Sequence, residues 1–197
     1  MERILIFIKH YLGFIWRIIE WGNGIVFTLF FRSKMLNVLA GVFEELSKSQ
    51  FSYRTLSKTD AKSLFNLINS QDVEDLKYFS PHAFDLRSID NQFSNPAFLM
   101  IGAFQDEQVI GYFFLRFFAN KKCFVGRLID KEYRGKGIGR VMNNIMYETA
   151  WGMNFSCLST ISKNNTAVIQ AHSKNRAMKV LKELSNDYLL VEFVKNE

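Results

Sequence analysis

The chain has 197 residues, a formal charge of +6, 48% hydrophobic residues and 22% charged ones. Those values fit one folded domain plus an extension and exclude wholesale disorder. The positive balance favours an anionic partner, such as a phosphorylated cofactor or an acidic membrane face, and with no zinc-finger spacing and no RNP-like aromatic motif a nucleic-acid partner is not expected.

Residues 1–50 differ in pattern from residues 51–197. Ile4–Phe31 is rich in Ile, Phe, Leu and Trp, yet Lys9, His10, Arg17 and Glu20 interrupt any run of about 20 apolar residues, so it is a poor transmembrane helix. No small-residue cleavage site ends a compact apolar run, so it is not an ordinary secretory signal either. Arg3, His10, Gly13, Arg17, Glu20 and Gly24 recur at helical spacing and form a narrow polar stripe on a helix that is otherwise greasy. Trp16, Trp21 and the flanking cations resemble interfacial anchors. The helix is expected to break at Gly22–Gly24, leaving Ile25–Phe31 as a second apolar run, followed by a short amphipathic helix over Met35–Leu46. Two readings fit residues 1–31: attachment to a membrane surface, or packing on the domain or on a second copy in a homodimer.

From Phe51 the pattern alternates strand and helix. Phe51–Leu56 is a strand, Ser57–Asp60 carries a helix-start signal, and Ala61–Ile68 and Val73–Phe79 are helices, the latter stopped by Pro81. Phe98–Phe104 and Val109–Phe118 form an antiparallel hairpin, and Cys123–Ile129 is the next strand. Helices follow over Ile138–Trp151 and Asn165–Asn175, with strands at Phe155–Ile161 and Tyr188–Phe193. The fold class is therefore α/β, with residues 51–197 as the folded domain and 1–50 as a helical extension. Cys123 and Cys157 lie in apolar runs and are expected as buried free thiols in a reducing, cytoplasmic compartment. No Cys/His spacing calls for a metal.

The stretch Leu128–Arg140 carries the chemistry. A strand ends, Arg134 appears, Gly135, Gly137 and Gly139 alternate, and a helix begins. Glycines let successive N–H groups point into one concavity, and the helix start adds free N–H groups and its positive end. This is a cradle for a diphosphate, with Arg134, Lys136 and Arg140 as further positive charge. No Walker run is present, and the Gly-x-Gly-x-Gly spacing is not the dinucleotide fingerprint.

Arg134-Gly135-Lys136-Gly137-Ile138-Gly139 resembles the R/Q-x-x-G-x-G/A loop of the GNAT acetyltransferase superfamily. Asn165 and His172 fall on the Asn and Tyr/His positions of that family's later N-x-x-[AS]-x-x-x-[YH]-x-K-x-G-F run, where Arg176 and Ala177 replace the Gly-Phe pair. The resemblance spans about Phe51 to Phe193 and is specific in 127–176. It implies a mixed, mostly antiparallel central sheet with flanking helices, and acetyl-CoA or another acyl-CoA as co-substrate without a metal. It also implies that Arg134–Arg140 hold the diphosphate with Asn165 nearby, that the Leu128–Ile129 edge pairs with the pantetheine arm, and that the acyl group passes directly to an amine. His172 would then protonate the departing thiolate. For the amine's base the best candidate is His82, in Phe79–Phe84 where the family builds its acceptor wall, oriented by Asp85. An apolar N-terminal helix favours acceptors carried on lipid at the inner membrane face, amino sugars among them; a soluble small-molecule or protein amine stays open. The rival readings are a non-catalytic acyl-CoA-binding module and a membrane-associated scaffold.

Overall fold

Apolar alternation through residues 98–117 builds the hairpin at the centre of the fold, β2 (Phe98–Gln105) and β3 (Gln108–Phe117). The computed structural model describes residues 13–45, 50–172 and 177–195, without the side chains of residues 13, 14, 16 and 172. β1 (Ser52–Thr55) flanks β2, and β4 (Lys122–Ile129) flanks β3. With β5 (Ser156–Ser162), β6 (Met178–Leu184) and β7 (Tyr188–Phe193) they form one seven-stranded sheet in the order β1-β2-β3-β4-β5-β7-β6. Every neighbouring pair is antiparallel except β4 and β5.

Helices cover both faces. α3 (Ala61–Asn69) follows a 3₁₀ turn in which Asp60 accepts from the Ser57 N–H at 2.8 Å and from Arg54 at 2.8 Å. It packs with α5 (Leu86–Phe93) over Leu64, Ile68, Ile89, Phe98, Met100 and Tyr112. The one-turn α4 (Val73–Leu76) lies between them in the chain. On the other face α6 (Ile138–Gly152) buries Ile138, Met142, Ile145 and Met146 against Phe113, Leu115 and Cys123. α7 (Thr166–His172) follows β5.

Two elements were absent from the expectation. α5 fully buries only Ile89, with Phe93 partly buried against the core and polar residues elsewhere apart from exposed Leu86, although Asp85 accepts from the Ser88 N–H at 2.9 Å as an N-cap. β6 is an exposed edge strand whose charged residues hide its period.

The N-terminal helices also correct the expectation. α1 (Gly13–Phe30) runs straight through Gly22–Gly24, and the bend comes at Phe31, before α2 (Arg32–Glu45). Tertiary contacts hold the glycine segment helical. Asn23 donates to the Phe117 carbonyl at 2.8 Å and accepts from the Ala119 N–H at 2.9 Å, while Gly24 lets Pro96 approach. Phe27 stacks on Phe117, Phe31 meets Phe155 edge-on, and Glu20 pairs with Arg116. Met35, Leu39 and Val42 of α2 join the core under α6. The extension therefore shares the core of the sheet.

These contacts turn Glu20 and Gly24 of the polar stripe inward against the domain, with Asn23 beside them, while Arg17 stays exposed. Ile18, Trp21, Ile25 and Leu29 lie on the opposite side and are 49%, 69%, 40% and 72% exposed. No single helix among the described residues is long and apolar enough to cross a membrane; α1 and α2 together have the length and composition but bend by 70°.

Candidate active site

β4 and β5 begin as paired parallel strands and then part. Register partners run only from Lys122 opposite Ser156 to Phe124 opposite Leu158, and the Ser159 hydroxyl donates to the Val125 carbonyl at 3.0 Å where the strands diverge. Beyond that point one edge of β4 has no strand beside it. The ladder to β3 fixes which backbone groups face this edge. Phe118 N–H donates to Lys122 O, and Asp130 N–H donates to Ile110 O, so even-numbered residues of β4 are bonded to β3. The backbone groups of Arg127 and Ile129 therefore face the gap. Those of Leu128 face Tyr112, which corrects half of the expected Leu128–Ile129 edge: the ladder leaves the N–H of Ile129 available and takes that of Leu128. The side chain of Leu128 is buried with α3 and α5.

At the end of β4 the chain makes a 3₁₀ turn, Lys131–Tyr133, and enters the loop. Gly135 and Gly137 have φ of +78° and +84°, which favour glycine, and a Cβ at either would meet nothing within 4 Å. Gly137 is the N-cap of α6, so the N–H groups of Ile138 and Gly139 stand at a helix start without an intrahelical acceptor. Gly139 is tight instead: a Cβ there would lie 3.1 Å from Ile129 and 3.3 Å from Arg127. The concavity is open above Gly135 and Gly137 and backed by β4 beneath Gly139. A diphosphate fits that cradle, since bulk is excluded beneath and free N–H groups lie at the rim.

The cations of the loop are less free than the sequence implies. Arg134 pairs with Asp75 at 2.9 Å and donates from Nε to the Ile129 carbonyl at 3.3 Å. That guanidinium holds Asp75 below the usual carboxylate range. Lys131 pairs with Asp72 at 3.2 Å, and Lys136 lies over the Tyr133 ring at 4.5 Å. Arg140 is exposed on the first turn of α6. α4 and its N-cap thus clasp the loop through two ion pairs, an arrangement invisible in sequence because 59 residues separate each pair.

His82 is held on both sides. Its Nδ1 lies 2.8 Å from the Ala83 carbonyl and its Nε2 lies 3.0 Å from the Tyr112 hydroxyl. A carbonyl accepts only, so Nδ1 carries the proton and Nε2 accepts from Tyr112. Burial lowers the imidazole's pKa and raises that of Tyr112, which keeps both neutral. Phe84, Phe98 and Tyr112 surround the ring. Neither nitrogen is left to take a proton from an amine, and Asp85 caps α5 rather than orienting the imidazole. Asn165 caps α7, accepting from the Val168 N–H at 3.1 Å. The backbone of His172 ends α7; its imidazole, with Lys174 and Arg176, lies outside the described residues. Cys123 and Cys157 are buried register partners on β4 and β5, and burial pushes both thiols up.

The model of the acetyltransferase (GNAT) family matches residues 62–177, from α3 through the cradle to the end of α7 and just beyond. The chain belongs to the GNAT acetyltransferase family. Membership makes it an acetyl-CoA-dependent N-acetyltransferase, with acetyl-CoA as co-substrate. A search of curated proteins by sequence finds no match. Among solved structures, this GNAT protein is similar to the PaiA N-acetyltransferase of Thermoplasma acidophilum in complex with coenzyme A, at 20% identity and a TM-score of 0.61 over 75% of this chain and 100% of that one. It is similar to the ribosomal-protein-S5-alanine acetyltransferase of Vibrio fischeri, at 14% identity and a TM-score of 0.63 over 76% and 95%. AAC(6′)-Ib, solved with paromomycin and acetyl-CoA, gives 12% identity and a TM-score of 0.59 over 75% and 94%. These likenesses show the GNAT fold. α1 and α2 lie outside the residues that the family model matches.

Proposed function

We propose that this acetyltransferase works docked at the inner face of a membrane through α1, and that its acceptor is an amine carried on lipid, an amino sugar being the chemistry that fits. The observation that carries the reading is the orientation of α1, which gives Glu20, Asn23 and Gly24 to the domain and Ile18, Trp21, Ile25 and Leu29 to the outside. α2 is pinned to the core by Met35, Leu39 and Val42, which favours lying in the interface over spanning it. Arg17, Arg32 and Lys34 stand exposed on the two helices, as cations do against anionic headgroups.

Position in the fold bears on the acceptor. α1 crosses the sheet at Phe117, opposite Cys123, whereas the open edge of β4 ends at Ile129. Six residues of strand span about 20 Å at ~3.3 Å each. That separation along the strand leaves room between α1 and the site for a sugar on a lipid carrier.

Acetyl-CoA, as co-substrate, would supply a thioester whose acyl carbon accepts the amine's lone pair; the C–N bond forms, the C–S bond breaks, the amine proton passes to solvent and the thiolate gains one, giving amide and coenzyme A thiol. The Ile129 N–H faces the gap and is the donor for negative charge on the acyl oxygen. His172, at the end of α7, is the donor to the departing thiolate. Both roles rest on backbone position and on the family resemblance.

The test has two arms. Calorimetry on the full chain should show acetyl-CoA binding that Gly137→Trp abolishes, because the indole fills the open cradle. Labelled acetyl-CoA incubated with the protein and membranes should place label in the organic-extractable fraction; label confined to protein or to water-soluble amines overturns the lipid-carried acceptor. Recovery of the full chain free of membranes without detergent or salt overturns the docking.

A further inference from the structure

One half-buried cation of the cradle carries no signal in the sequence. Arg127 stands in an otherwise apolar stretch of β4, at the inward-facing position two residues before Ile129. Its side chain passes under the first two turns of α6. Nη1 donates to the Asn143 side-chain oxygen, and Nε and Nη2 lie 3.3 and 3.6 Å from the place a Cβ on Gly139 would take.

That is a poor place for a cation in the absence of a ligand. Burial disfavours the charge and lowers the pKa of the group. Asn143 offers a dipole rather than a charge, and no carboxylate among the described residues lies within ion-pairing distance of Arg127. The neighbouring end of α6 is its N-terminus, whose field repels a cation and attracts an anion. Meanwhile Arg134 and Lys131 are partly neutralised by Asp75 and Asp72. An anion in the cradle turns both the unpaired charge and the helix field from costs into attractions.

We propose that Arg127 is a cofactor-binding residue: its guanidinium, held by Asn143 beneath Gly139, is the half-buried counter-charge for the diphosphate of coenzyme A. This rests on the cradle reading of the loop. A leucine at the same position would pack well against Gly139 and Ile129, so the charge is better explained by a ligand than by packing.

Calorimetry on the full chain tests this with two ligands, coenzyme A and S-acetylpantetheine, which lacks phosphate. Arg127→Leu should weaken coenzyme A binding tenfold or more, leave S-acetylpantetheine unchanged, and raise the melting temperature of the ligand-free protein. Arg127→Gln keeps a donor for Asn143 and removes only the charge, so it should lose the same discrimination and guard against a misfolded leucine variant. Arg127→Lys should retain most of the affinity. The charge-free variants should also lose part of the salt dependence of coenzyme A binding. Wild-type coenzyme A affinity in Arg127→Gln overturns the assignment, as does equal weakening of both ligands. Failure of the wild-type chain to bind coenzyme A more tightly than S-acetylpantetheine would overturn the cradle itself.

Discussion

Replacing Trp21 and Leu29 together by serine removes two anchors from the outward stripe of α1 without touching its packed face. Trp21 is 69% exposed and Leu29 72%. An aromatic side chain presents roughly 150–250 Å², so Trp21 offers lipid about 100–170 Å², worth about 2.5–4 kcal/mol at ~25 cal/mol per Å². Full burial of a leucine is worth about 1.5–3 kcal/mol, and the exposed share of Leu29 about 1–2 kcal/mol. The interface dehydrates only part of each side chain, so half of the sum, about 2–3 kcal/mol, is the expected loss. At 1.4 kcal/mol per tenfold, partitioning onto vesicles should fall roughly 30- to 100-fold. The assay is co-sedimentation of the full chain with phosphatidylcholine–phosphatidylglycerol vesicles. Val73→Ser is the control, since Val73 is 83% exposed on α4, away from the stripe. Melting temperature should hardly change in the double variant, because exposed positions without partners typically shift stability by under about 0.5 kcal/mol. Equal sedimentation of wild type and double variant, or an equal loss with Val73→Ser, would refute the docking surface.

Two further outcomes rest on charge pairs. Asp75→Asn breaks the ion pair that partly neutralises Arg134, so acetyl-CoA affinity by calorimetry should rise a few-fold at low salt and the gain should shrink as salt increases; an affinity unchanged at low salt removes the competition. Asp60, bonded by Arg54 and Ser57, has its pKa lowered to about 2 from an ordinary 3.8. A depressed carboxylate contributes stability above the unfolded value, and that contribution is lost as pH falls from about 4 through about 2. Asp60→Ala should therefore lower the melting temperature at pH 7 and converge on wild type near pH 2. Because Arg54 is about half exposed, the loss at pH 7 should be about 1–2 kcal/mol; a gap that persists at pH 2 would place the cause in packing.

Local pattern alone reached a good deal of this molecule. The hairpin of β2 and β3, the strand β4 and the helix α6 follow from period-2 and period-3.6 apolar spacing, and the structure places them within a residue or two of expectation. The cradle was legible because its physics is local: two positive-φ positions and a helix start depend on Gly135, Gly137 and their neighbours in the chain. The identity of a family comes from the same short stretch.

Long-range contacts decided the rest. Gly22–Gly24 reads as a helix break until Asn23 and Gly24 find Phe117, Ala119 and Pro96, contacts worth more than the propensity of two glycines. Period revealed that α1 has a polar stripe but could not say which stripe faces the protein; Arg116 and the end of β3 settled that by meeting Glu20 and Asn23. A histidine in a loop looked like a base until Tyr112, thirty residues away, took its second nitrogen. Arg127 read as one more residue of a strand, and only the packing of α6 across β4 placed its charge under Gly139. Sequence determined the elements and the loop because each rests on its own few residues. Tertiary structure decided the partners of each charge and the outward face of each helix, because those depend on what distant segments bring within a few ångströms.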